Sequence, residues 1–74
     1  MKIEIEISDY DAMHINALID HANRYDDQRN SHGRLSFAVL GGMLFEDVAL
    51  ARRRPGSWEG TNMMQLLISH GYDV

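Results

Sequence analysis

Hydrophobic and polar positions alternate strictly at the start of the chain, in Lys2-Ile3-Glu4-Ile5-Glu6-Ile7. Side chains of an extended strand point to opposite faces in turn, so this run predicts a strand with Ile3, Ile5 and Ile7 on a core face and Lys2, Glu4 and Glu6 facing out. The period then changes. Ala12, Ile15, Leu18, Ile19, Ala22 and Tyr25 recur at three- and four-residue steps, with Asn16, Asp20, Asn23 and Arg24 on the other side, the pattern of an amphipathic helix from about Asp9 to about Tyr25. Ser8 and Asp11 have the spacing of a capping box at its start. Residues 26–34 are polar and turn-rich and read as a loop.

Ser36 offers a cap for a second helix. Arg52, Arg53 and Arg54 suit its negative end, and Pro55-Gly56 stops it. On a wheel at about 100° per residue this helix is apolar on two sides: Phe37, Leu40, Leu44, Val48 and Ala51 on one, Val39, Met43 and Leu50 on the other. Two apolar faces imply two neighbours, either the first and third helices of a monomer or the third helix and a second subunit. Gly41-Gly42, each costing roughly 1 kcal/mol in a helix interior, implies either close approach of another backbone or a local kink. Ser57, with Thr61 as the alternative, caps a third helix through Trp58, Glu59, Met63, Met64, Leu67 and Ile68 that ends at His70, with Gly71 as a left-handed terminator. Tyr72 and Val74 flank Asp73 as a short C-terminal strand. The expected fold is therefore α/β in the α+β sense and mostly helical: one N-terminal strand, three helices and the short final strand, in a single small domain over residues 1–74.

At 74 residues such a domain sits near the size at which one core offsets the entropy of ordering the chain, and with no cysteine there is no disulfide or thiolate metal site to help. Oligomerisation or a tightly packed helical core is what remains, so the chain is expected as a monomer or a homodimer. No apolar run approaches the ~20 residues of a membrane span, and the opening residues lack a basic stretch followed by an apolar block. The expectation is a cytoplasmic protein that does not engage membranes.

The net charge of −4 is unevenly placed. Residues 1–27 hold seven acids, Glu4, Glu6, Asp9, Asp11, Asp20, Asp26 and Asp27, against Lys2 and Arg24, whereas residues 28–57 hold five arginines against Glu46 and Asp47. An acidic front repels phosphate and attracts basic protein surfaces, so it favours a protein partner over nucleic acid.

Catalytic chemistry finds little footing. His14 and His21 are seven apart, about 10 Å along one helix face, too far to share an ion, and Asp11 with His14 supplies only two ligands. Ser31, Ser36, Ser57 and Ser69 sit where turns and helix starts explain them, and no phosphate-binding glycine loop occurs. No enzyme activity, metal or cofactor is expected. Arg52, Arg53, Arg54 and Arg34 are suited either to phosphate or acidic ligands, or to the helix dipole and the N-terminal acids. Trp58, Met63 and Met64 form an adaptable apolar set, with Trp58 expected at the core or its edge.

Strand, helix, loop and helix over residues 1–54 resemble the ribbon-helix-helix family of small dimeric repressors and antitoxins, with Ile3, Ile5 and Ile7 at its core-facing strand positions and Gly33-Arg34-Leu35-Ser36 at the turn into its second helix. That resemblance implies a DNA-binding regulator whose outward strand residues would be Lys2, Glu4 and Glu6, with Arg34 and the arginine cluster on phosphates. In character the chain is similar to small acidic phage-encoded inhibitors of host defence, the anti-CRISPR proteins among them, which implies stoichiometric binding to a surface that normally holds nucleic acid. Two carboxylates on the outward positions suit the second resemblance better. The reading is a non-enzymatic, acidic protein-binding inhibitor or regulator whose contact residues are Glu4, Glu6, Asp9, Asp11, Asp20, Asp26 and Asp27. The alternative is the ribbon-helix-helix regulator.

Overall fold

The computed structural model describes residues 1–24 and 32–74. Three helices are present, α1 (Asp9–Ala22), α2 (Phe37–Arg53) and α3 (Trp58–Ser69), and the chain divides into two compact units, Met1–Ser36 and Phe37–Val74.

The mostly helical expectation holds and the strands do not. Among the described residues there is no strand or sheet, and Ile3, Ile5 and Ile7 are exposed rather than on a core face. Alternation only says which residues would share a face if a strand formed. A strand also needs a neighbour for its backbone N–H and C=O groups, and no described segment supplies one. The expected C-terminal strand fails for a local reason: the Tyr72 N–H is used in ending α3, where it donates to the Leu67 carbonyl at 3.1 Å.

In the first unit, Ser8 is extended (φ −62°, ψ 151°) and its Oγ accepts from the Asp11 N–H at 3.1 Å, so α1 starts where the cap pattern put it. Its inward stripe is narrower than the periodicity implied. Ile19 is buried and Ala12 and Ile15 half-buried, while Leu18 and Ala22 are exposed and Asn23, expected outside, is half-buried. The helix stops at Ala22 because the Asn23 side chain is committed elsewhere. Its Nδ2 donates to the Leu35 carbonyl and its Oδ1 accepts from the Leu35 N–H, both at 2.8 Å, while Arg34 Nη1 donates to the Asn23 carbonyl at 3.3 Å. One amide thus satisfies both backbone groups of Leu35, as a neighbouring strand would. Gly33, two residues earlier, has φ +69°, a left-handed turn position.

The second unit is a helical hairpin. Pro55 cannot continue α2, and the reversal that follows is closely determined. The Ser57 N–H and Oγ both donate to the Arg54 carbonyl, at 3.0 and 2.7 Å; Ser57 Oγ also accepts from the Gly60 N–H at 3.0 Å, and Thr61 Oγ1 donates to the Pro55 carbonyl at 2.9 Å. Ser57 is therefore the cap of α3, and Thr61 braces the turn from inside the helix. At the far end the N–H groups of Gly71 (φ +89°) and Tyr72 donate to the carbonyls of Ile68 and Leu67, a Schellman stop.

Along α2 the side that carries Val39, Met43 and Leu50 is half-buried and packs with α3, and the seam extends to Leu40 and Ala51, the latter buried. Phe37 and Leu44, placed on the other apolar side by the wheel, are exposed, and so is Phe45. The close backbone approach expected at Gly41-Gly42 is absent: a Cβ at either would meet nothing within 4 Å. It occurs instead at Gly60, which is buried, and where a Cβ would lie 2.5 Å from the Arg54 carbonyl and 2.7 Å from that of Leu50. The first turn of α3 rests on the last turn of α2 with room only for hydrogen. No helix among the described residues is long and apolar enough to cross a membrane.

Two expectations follow for stability. Gly60→Ala should lower the urea midpoint, by about 2 kcal/mol in stability, because the atoms in the way are backbone and cannot rotate aside. Gly41→Ala should raise stability by about 0.5–1 kcal/mol; equal effects at the two positions would contradict the hairpin geometry. In the first unit, Asn23→Ala strips both partners from Leu35 and should cost about 1–3 kcal/mol, read as faster hydrogen exchange at the Leu35 amide. An unchanged rate there would mean the amide clamp does not persist in solution.

Candidate functional site

Glu4, Glu6, Asp9, Asp11 and Asp20 are all exposed, and Asp26 and Asp27 lie outside the described residues. The five do not share one face. With Ile19 pointing inward, a turn of about 100° per residue sets Asp9 and Asp20 along one flank of α1, roughly 16 Å apart, and Asp11 along the other. The carboxylates therefore rim the inward stripe on both sides. Each flank also carries a large apolar side chain in the open, Met13 (57% exposed) beside Asp9 and Asp20, Leu18 (61%) near Asp11. The same mixture continues into the preceding segment, where Glu4 and Glu6 alternate with exposed Ile3, Ile5 and Ile7. Acids and open apolar groups are thus interleaved along residues 3–7 and on both flanks of α1.

The side of α1 directly opposite Ile19 is not acidic. It carries Tyr10, His14, Ala17 and His21, all exposed. The Tyr10 and His14 rings meet edge to face with centroids 4.6 Å apart, and an Arg24 guanidinium nitrogen contacts the His21 ring. Sequence reasoning passed over Tyr10, although its four-residue spacing from His14 was visible. Among the described residues no three histidine or carboxylate side chains gather as a metal ion would require.

In the second unit the arginine cluster and the tryptophan are each exposed. Arg52, Arg53 and Arg54 are exposed at the C-terminal end of α2. Trp58, expected at a core or its edge, is exposed, whereas Met63 and Met64 are half-buried. A wheel drawn on α3 explains Trp58. The seam with α2 uses Gly60, Met63, Met64 and Leu67, and Trp58 falls on the opposite side with Asn62, Gln65 and Ser69, a polar stripe. That neighbourhood was readable in the sequence, and it identifies Trp58 as a surface residue.

No protein-family model, curated protein or solved structure matches the chain, so the residues and their geometry alone carry the functional reading.

Proposed function

We propose that this protein acts by contact rather than catalysis, as a small acidic inhibitor or regulator that covers a basic, nucleic-acid-binding surface of a protein partner, in the manner of the anti-defence proteins it resembles in character. The supporting observation is the interleaving in the first unit of exposed carboxylates, Glu4, Glu6, Asp9, Asp11 and Asp20, with exposed Ile3, Ile5, Ile7, Met13 and Leu18. A merely solvated acidic surface gains nothing from open isoleucines. A binding surface does, because the apolar groups supply affinity when desolvated, at roughly 1.5–3 kcal/mol for each large side chain fully buried. The carboxylates select a basic partner and speed the encounter. They also act against nucleic acid, since phosphates would meet like charge.

The ribbon-helix-helix alternative loses its main support with the strand, because that family reads DNA through a paired ribbon. A cytoplasmic location fits a partner of this kind.

The test begins with affinity capture from the native host and identification of partners by mass. Glu4→Lys, Glu6→Lys and Asp20→Lys, introduced together, should leave the helical circular dichroism intact, since exposed positions usually cost under about 0.5 kcal/mol each. Association with the captured partner should slow by about tenfold or more at low salt, with the difference shrinking as salt is raised. A folded triple variant that associates at the parental rate would show the acids to be ordinary solvated surface. A sequence-selective duplex DNA complex whose affinity falls steeply with salt would replace this reading with the alternative.

A further inference from the structure

On the side of α2 turned away from its seam with α3, Ala38, Gly41, Phe45 and Val48 form one stripe, three, four and three residues apart. Phe45 is 53% exposed, and the exposed Phe37 and Leu44 border the stripe along one edge, with Gly42 and Ala49 along the other. Glu46 and Asp47, the only charged residues of α2 before Arg52, fall outside this arc. About four turns of helix therefore present one contiguous apolar face, unlike the scattered single hydrophobic residues of an ordinary surface.

Two glycines sit in the middle of that face. Glycine weakens a helix interior, and no described neighbour takes up the room that Gly41 and Gly42 leave, since a Cβ at either would meet nothing within 4 Å. The spacing identifies what does. Three, four, three reads the same from both ends, so a second α2 laid antiparallel, with the two-fold axis level with Met43, sets Phe45 over the partner's Gly41 and Ala38 beside the partner's Val48. Each larger side chain then meets a smaller one. The antiparallel sense also holds the two arginine clusters about 27 Å apart along the helices, at 1.5 Å per residue, whereas a parallel pair would set like charges side by side.

We infer that α2 is a self-association face, on which two copies pair antiparallel through Ala38, Gly41, Phe45 and Val48. The axis passes through the contact itself, so this one contact closes the pair and no other part of the chain is needed. The open portions of Phe37, Leu44 and Phe45 come to about 250 Å² per copy, taking roughly 200 Å² for a whole large side chain. With the small residues beside them the pair buries on the order of 1,000 Å², at the lower edge of a specific interface. Association is accordingly reversible. It uses none of the acidic contact residues of the proposed function, so either reading can fail without the other.

Exchange of the facing residues tests it. Light scattering of the parent between about 1 μM and about 1 mM should show the mass rising from the 8.5 kDa of one chain to twice that value. Phe45→Ala removes the large partner of the central pair, and Gly41→Phe opposes it with a second large ring. Each should raise the dimer dissociation constant about tenfold or more while keeping parental helicity, and the Gly41→Phe, Phe45→Ala double variant should regain most of the loss, because only an antiparallel register sets position 41 against position 45. Gly41→Ala supplies a readout in a chain certain to keep its helix: it should melt at a higher temperature than the parent under conditions where both are monomeric, yet self-associate less. An intrachain role for Gly41 does not give that combination. A parent that stays monomeric to about 1 mM overturns the inference, including one that instead uses this face on lipid vesicles or on a captured host protein. Dimerisation indifferent to Phe45→Ala, or a double variant no better than the weaker single one, overturns it as well.

Discussion

Among the described residues, shortage of buried apolar surface is the governing constraint. Among the described residues only Ile19 and Ala51 are buried apolar side chains, while fifteen large hydrophobic residues are exposed. Ordering a backbone costs about 1–2 kcal/mol per residue in conformational entropy, and a chain of 74 residues has few ways to offset it without a core, a disulfide or a metal. Local hydrogen bonding fills part of the gap: the Ser8 cap, the Asn23 clamp on Leu35, the Ser57 turn and the Schellman stop at Gly71. Such bonds determine where helices begin and end. They contribute only about 0.5–1.5 kcal/mol each, so the open apolar surface of the described residues remains the largest unused source of stability, and the proposed function would draw on it.

The hairpin shows how a small unit gains precision without a large core. Gly60 lets the start of α3 rest on the Leu50 and Arg54 carbonyls, and Ser57 ties the same Arg54 carbonyl into the cap of the next helix. Arg52, Arg53 and Arg54 lie at the end of α2 and Trp58 at the start of α3, on either side of this turn. The hydrogen-bonded turn there fixes the backbone from which these exposed side chains extend.

Features that depend on a few neighbouring residues were legible in the sequence. Ser8, Ser57, Pro55 and Gly71 placed the helix boundaries well, and the end of α1 was overrun because nothing local announces that the Asn23 amide will bond to Leu35. Features that depend on a second segment were not legible. The alternation from Lys2 to Ile7 described a strand with no partner among the described residues, and Gly41-Gly42 drew attention away from Gly60, whose close approach follows from the hairpin geometry. Of the candidate contact residues, Glu4, Glu6, Asp9, Asp11 and Asp20 are exposed, but so are Ile3, Ile5 and Ile7, so the alternation did not separate an outer from an inner set. The division of Asp9, Asp11 and Asp20 between two flanks of α1 followed only once Ile19 fixed the inward direction. Trp58 was misjudged by residue type when its own helix wheel placed it among polar neighbours.

The central claim is that contact completes what the isolated chain leaves open, and thermal unfolding as a function of protein concentration tests it most directly. Anything that binds the folded state alone raises the melting temperature by mass action. The account predicts that the unfolding midpoint, followed by helical circular dichroism at low salt, rises steadily as chain concentration increases from about 1 μM to about 1 mM, each tenfold step adding about 1.4 kcal/mol of linkage once the association constant is exceeded. A sharp transition whose midpoint stays constant across that range would show that one chain is stable unaided, and would contradict the claim that the isolated chain lacks enough buried apolar surface to hold its fold.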